Sequence, residues 1–166
     1  AWENWPNAFE SVQVALFLRN SIIVAALSAF VTMAIAVPAT YAMVRFRTGG
    51  SFLRSAVLSS YVAPPIVAVI PLFFLLKTTS LIDTLPGLAL VHALANLPVA
   101  IWLLGRFVRE IPVDLEEASW VDGNGRFGTL LRIVLPLLTP GLVAVAIICI
   151  ILSYNDFLFA PVMTYR

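Results

Sequence analysis

Four stretches of this 166-residue chain, 20–44, 55–76, 85–105 and 133–155, contain no Asp, Glu, Lys or Arg, and each is 21 to 25 residues long. A hydrocarbon core about 30 Å thick is crossed by about 20 helical residues, so each stretch is long enough to span a bilayer. Only helices and closed barrels satisfy their own backbone groups there. Barrel strands alternate apolar and polar over about ten residues, whereas these runs are continuously apolar and about twice that length. The expected fold is therefore all-α, a polytopic membrane helix bundle with four spans. Composition points the same way: 61% of residues are hydrophobic and 11% charged, against roughly 25% charged in a soluble domain.

Charge sets the orientation and excludes some partners. Net charge is +1 and Lys77 is the only lysine, so nucleic acid has no electrostatic footprint to follow. Positive side chains near membrane ends favour the cytoplasm. Placing 45–54 and 106–132 inside puts Arg45, Arg47, Arg54, Arg106, Arg109, Arg126 and Arg132 there, against Arg19, Lys77 and Arg166 outside. Trp2, Trp5 and Pro6 then lie outside, where an interfacial anchor or a plain loop both fit. Cys149 falls inside the fourth run and reads as a small packing residue. The chain opens on Ala1 without the basic-then-apolar pattern of a cleaved leader, so further sequence is expected at both ends.

Within the spans, Pro38, Pro64, Pro65, Pro71, Pro98 and Pro140 interrupt hydrogen-bond ladders that neighbouring helices or water must repair. Such kinks suit a bundle that moves or lines a cavity, and they are also common in static membrane helices. His92 and Asn96, four residues apart, share a helix face. They read either as interhelical glue or as lining of a polar cavity. Tyr61 and Asn155 are further polar candidates for such a cavity.

The charged stretch from Arg106 to Arg132 is the most informative. Pro112 suits the start of a helix, the acids Asp114, Glu116 and Glu117 suit its first turns, and Gly123 suits a left-handed C-terminal cap. A short cytoplasmic helix over 113–122 is predicted. Its apolar residues Val113, Ala118 and Val121 cannot form a core alone, so it needs a membrane surface or a protein partner. Acidic charge beside anionic lipid favours the protein. Gly123 to Gly128 also matches G-x-G-x-x-G, but a dinucleotide site needs a strand before it and a βαβ unit around it. Here a short acidic helix precedes and a span follows, so the glycines read as a tight turn.

Absences narrow the function. No phosphate-binding G-x-x-x-x-G-K-[ST] loop precedes Lys77, so ATP-driven work must come from another subunit. One histidine in total argues against a histidine metal site or a serine-histidine triad within the chain. An ion-coupled secondary transporter would be expected to bury an ionisable pair in its spans, and none of the four windows contains one. A membrane-embedded enzyme would have to be built on His92, with Tyr61 or Ser59 as its nearest partners.

Glu117-Ala118-Ser119, then Gly123, then Ile133 and Leu135-Pro136, matches E-A-A-x(3)-G-x(9)-I-x-L-P at every spacing. This resembles the cytoplasmic EAA motif of the permease subunits of bacterial ABC importers. Ser119 in place of the second alanine is the one departure. Asn20-Ser21, Pro71-Leu72-Phe73, Leu81-Ile82-Asp83-Thr84 and Tyr154-Asn155-Asp156-Phe157 are similar to the carbohydrate-type branch, with Tyr154 where that branch commonly has tryptophan. The resemblance covers nearly the whole chain.

The resemblance implies the type I importer permease fold, of whose usual six spans four are present. It implies no cofactor in this chain, with ATP and Mg bound by partner ATPase subunits. It also implies a second permease as heterodimer partner, two ATPase subunits, an extracytoplasmic solute-binding protein, and residence in the bacterial cytoplasmic membrane. The EAA helix would be the coupling helix. Glu117 would meet a basic residue of the ATPase, Ala118, Ser119 and Gly123 would permit close approach, and Asp122 belongs to the same pattern. Trp120 and Val121 would either fill the ATPase groove or support the helix from the membrane side. Tyr61, His92, Asn96 and Asn155 would be candidates for contact with a sugar.

Overall fold

A computed structural model describes residues 12–62, 65–155 and 159. The described elements are helical: α1 (Val12–Arg45), α2 (Gly50–Val62), α3 (Pro65–Thr78), α4 (Leu85–Glu110), α5 (Val113–Val121), α6 (Arg126–Thr129), a π-helical turn at Leu130–Val134, α7 (Leu135–Leu137) and α8 (Thr139–Tyr154). The all-α expectation holds, and no strand occurs among the described residues.

The bundle is centred on α1, which packs along α4 and then α8. Its seam is built from small residues. Ala25, Ala29 and Ala36 of α1 and Ala93 and Ala100 of α4 are all buried. In lipid, water does not drive helices together, so close backbone approach and dispersion must do so, and alanine permits both. Val37, Leu104, Val108, Val145 and Cys149 complete this core. Cys149 is a free, buried thiol, as its place in the fourth run suggested. Large apolar side chains such as Phe17, Ile22, Phe30, Ile70 and Phe74 remain exposed, as expected of helices whose outer faces meet lipid or neighbouring chains rather than water.

Among the described residues two helices, α1 and α4, are long and apolar enough to cross a membrane unbroken, and the bent pair ending in α8 adds a third if counted as one span. At 34 residues, α1 begins well before the predicted start at residue 20. The helix predicted over 85–105 continues to Glu110.

Within the second predicted span, 55–76, helix is described up to Val62 and again from Pro65 to Thr78; the predicted interruption at Pro64 lies outside the described residues. The fourth span departs from a single helix over 133–155. The segments before and after Leu138 meet at 78°. Pro136 and Pro140 flank that corner, and the π-helical turn lies directly before Pro136. One extra residue in the turn relieves the crowding a proline ring imposes on the preceding carbonyls.

The other helix ends follow local rules. Thr84 caps α4, its hydroxyl accepting the Gly87 N–H at 3.1 Å. Ser80, at φ 57°, closes α3, with the Leu81 N–H bonded to the Leu76 carbonyl at 2.9 Å.

Candidate functional site

The predicted acidic helix over 113–122 is present as α5, Val113–Val121. Asp114 and Glu116 lie in its first turn, where the positive end of the helix dipole favours them. Its end is a Schellman motif. Gly123, at φ 87°, sends its N–H to the Trp120 carbonyl, and the Asn124 N–H reaches the Ser119 carbonyl, both at 3.0 Å. The glycine expected to take a left-handed conformation does so, and a Cβ built on it would touch nothing within 4 Å. It is needed for its dihedral and not for space.

One face of α5 is turned outward. Val113, Asp114, Leu115, Glu117, Ala118 and Val121 are exposed, followed by Asp122 and Gly123. Val121 is 88% exposed. The opposite face is fixed to the bundle. Glu116 is fully buried, accepting from Arg45 Nε at 2.6 Å and from the Tyr41 hydroxyl at 2.9 Å. Both donors lie at the end of α1. The guanidinium of Arg45 also donates from its NH2 group to the carbonyls of Val108 (2.8 Å) and Ile111 (2.6 Å) at the end of α4. The Val108 carbonyl also accepts the Ile111 N–H at 3.3 Å, so the guanidinium adds a second donor at the end of α4.

Aromatic packing completes the seat. Phe46 meets Tyr41 edge to face at 5.4 Å and lies 6.3 Å from the half-buried Trp120. The Arg126 guanidinium stacks on Phe46 at 4.4 Å. The choice left open for Trp120 and Val121 is thereby resolved: Trp120 supports the helix from the bundle side, and Val121 points away.

The residues singled out for coupling divide accordingly. Glu117, Ala118, Asp122 and Gly123 share the outer side. Ser119 does not join them. It is 4% exposed, and its hydroxyl pairs with that of buried Thr129 at 3.0 Å. Serine in place of alanine thus adds a polar tie between α5 and α6. Sequence reasoning did not single out Glu116 or its partners Tyr41 and Arg45.

The polar candidates in the spans lie elsewhere. Asn96 is buried, donating to Ser153 Oγ at 2.9 Å and the Cys149 carbonyl at 3.3 Å. Ser153 in turn shares a 2.7 Å hydrogen bond with Ser28 of α1. Thr32 donates to the Ser28 and Ala93 carbonyls. This chain of short polar side chains joins α1, α4 and α8 inside the bundle, which is the glue reading of Asn96. His92 is also buried, with its ring 6.0 Å from and nearly perpendicular to Phe159. Asn155 is exposed just beyond α8. Tyr61 lies on α2, and its side chain is outside the described residues, as are Trp2, Trp5 and Pro6. No group of three or more metal-ligating side chains occurs among the described residues.

The described residues thus form a helical bundle that carries on one end a short acidic helix with one face anchored and the other bare. Residues 14–164 match the family model described as "binding-protein-dependent transport system inner membrane component". The chain belongs to this family of inner-membrane permease chains. It is 41% identical over 96% of its length to a putative ABC transporter permease of Streptomyces antibioticus, of which it covers 70%. It is 32% identical to a diacetylchitobiose uptake system permease of Streptomyces coelicolor and 35% to a trehalose transport system permease of Mycobacterium tuberculosis, covering 52% and 60% of their lengths. A solved bacterial ABC transporter for import of the polysaccharide alginate superposes with a TM-score of 0.74, over 89% of this chain and 52% of that one, at 22% identity. That likeness concerns the fold. Family membership carries the chain away from the secondary-transporter reading and from the enzyme reading built on His92.

Proposed function

We propose that the chain forms part of a permease subunit in an ATP-driven importer that moves a sugar or sugar-like solute across the cytoplasmic membrane by alternating access. The observation that carries this is the bare outer face of α5, where Glu117, Ala118, Val121, Asp122 and Gly123 lie together on a helix whose other face is fixed. An exposed valine beside a carboxylate suits a protein groove carrying a basic side chain. We assign that groove to an ATPase subunit, which would also hold ATP and Mg. Closure of two such ATPases around nucleotide would push α5, and with it the ends of α1 and α4.

A second permease and an external solute-binding protein complete the assembly. The carbohydrate substrate class is supported by relatives whose names specify diacetylchitobiose, trehalose and sulfoquinovosyl glycerol. Asn155, at the end of α8, is the strongest candidate of the four polar residues for the solute path, because it is exposed and Asn96 is committed to helix packing. Tyr61 and His92 stand beside it as candidates.

The test is copurification of the full-length permease, wild type and with Glu117→Lys or Val121→Lys. Retained ATPase subunits and their stimulation by loaded binding protein are the readouts. Wild type should retain an ATPase and both variants should lose retention or stimulation. Absence of any ATPase with wild type overturns the proposal.

A further inference from the structure

We propose that Arg45, Glu116 and Tyr41 form a clamp that makes α5 a rigid lever, so that these three are positioning residues for coupling although none of them faces the ATPase. The inference rests on the importer reading above and extends it to the inner face of the helix. Two adjacent acids, Glu116 and Glu117, lie 100° apart around a helix, and the structure gives them opposite surroundings. Glu117 is exposed, whereas Glu116 is fully buried.

A buried carboxylate is tolerated only when its charge and lone pairs are matched. Here both oxygens are used, Oε1 by Arg45 and Oε2 by Tyr41. The Arg45 side chain is itself only 10% exposed, and it spends its remaining reach on the Val108 and Ile111 carbonyls. One guanidinium therefore joins three elements: the end of α1 that carries it, the last turn of α4, and the coupling helix. Its planar fork is what allows three acceptors to be met at once, and an ammonium group on a flexible stem has no such geometry.

This arrangement answers a mechanical need. A nine-residue helix attached only through Pro112 and the Gly123 turn could rock on its connections when pushed. Movement of an ATPase would then be absorbed locally instead of reaching the spans. With Glu116 locked to α1 and α4, displacement of α5 must displace both, and these are the helices whose seam forms the centre of the bundle. Stacking of Arg126 on Phe46, one residue beyond Arg45, holds the far end of the α5 turn to the same point.

The experiment uses the full-length chain in lipid nanodiscs together with whatever subunits copurify, as wild type, Glu116→Gln, Arg45→Lys and Tyr41→Phe. Two quantities are read: amide hydrogen exchange across 113–121, and ATPase stimulation by loaded binding protein relative to ATPase retained. Loss of one partner of a buried pair leaves the other uncompensated, so exchange in Glu116→Gln should rise by about tenfold or more. Stimulation per retained ATPase should fall in parallel. Arg45→Lys should resemble Glu116→Gln, and Tyr41→Phe, which removes one of two contacts, should lie between them and wild type.

Exchange within about twofold of wild type in Glu116→Gln overturns the clamp. Full recovery by Arg45→Lys overturns it as well, because charge alone would then suffice. Loss of ATPase retention in Glu116→Gln makes the residue part of the docking face and likewise refutes a positioning role. If wild type retains no ATPase, the importer reading fails by itself, and exchange across 113–121 still decides whether the clamp holds α5.

Discussion

Replacing Gly123 by alanine isolates a backbone effect at the end of α5. Gly123 sits at φ 87° with nothing within 4 Å of where a Cβ would stand, so the substitution creates no clash and removes no contact. What remains is the left-handed conformation itself, which costs a residue with a Cβ about 1–2 kcal/mol. At about 1.4 kcal/mol per factor of ten, that strain should weaken the closed turn about 5- to 30-fold. The N–H groups of Gly123 and Asn124, bonded to the Trp120 and Ser119 carbonyls, report that opening directly. Their exchange rates in the alanine variant should rise by that factor, while amides in the middle of α4 should not change. Gly123→Asn should recover much of the loss, because asparagine tolerates the left-handed region better than alanine does. Equal exchange in the glycine and alanine proteins would refute the reasoning, as would an asparagine variant as impaired as alanine. Either result would mean that the turn is held by contacts and not by its dihedral.

Three further predictions concern other parts of the molecule. A Cβ at Gly141 would lie 2.6 Å from Cγ of Phe107, so Gly141→Val should destabilise the bundle by about 1–3 kcal/mol, with partial rescue by Phe107→Ala in thermal unfolding of the detergent-solubilised protein. Asn96→Leu should cost about 0.6–2 kcal/mol; Ser153→Ala should cost less in that background than in wild type, since the two share a hydrogen bond, the remainder being the Ser153 bond to Ser28. Persistence of transport in Asn96→Leu would fix that residue as packing, and its abolition in a stably assembled protein would return Asn96 to the solute path. Val121→Ala should change stability by less than about 0.5 kcal/mol yet reduce ATPase retention, whereas Trp120→Ala should lower the unfolding temperature; the opposite pattern in the two assays would invert the orientation given for α5.

What could be read from the amino-acid sequence was local or statistical. Gly123 as a cap was legible because the whole motif lies within six residues, and the apolar runs were legible because lipid imposes composition over some twenty residues at a time. The corner at Leu138 was less so. Pro136 and Pro140 were visible, but a proline permits either a gentle kink or a full corner, and neighbouring helices decide between them. Asn96 was placed on a shared face with His92, while its partners Ser153 and Cys149 lie 57 and 53 residues away. Nothing in the spacing links them.

Glu116 is the sharpest case. The sequence supplies two neighbouring glutamates at the start of a short helix, and the pattern directs attention to Glu117. Which of the two turns inward depends on the rotation of α5 relative to the bundle, and that rotation is set by Arg45, 71 residues earlier in the chain. The available signal is physical and not positional: a helix with too few apolar residues to form a core, lying on a bundle end, must be anchored by something other than apolar burial. Five arginines lie in the segments 45–54 and 106–109 next to that end, and a carboxylate on the inner face is a group they can hold. The same acidic composition that makes the outer face suitable for a basic partner therefore supplies the anchor on the inner face. A helix of this kind needs both acids: loss of Glu116 would leave the buried Arg45 without its carboxylate, and loss of Glu117 would take a negative charge from the outer face.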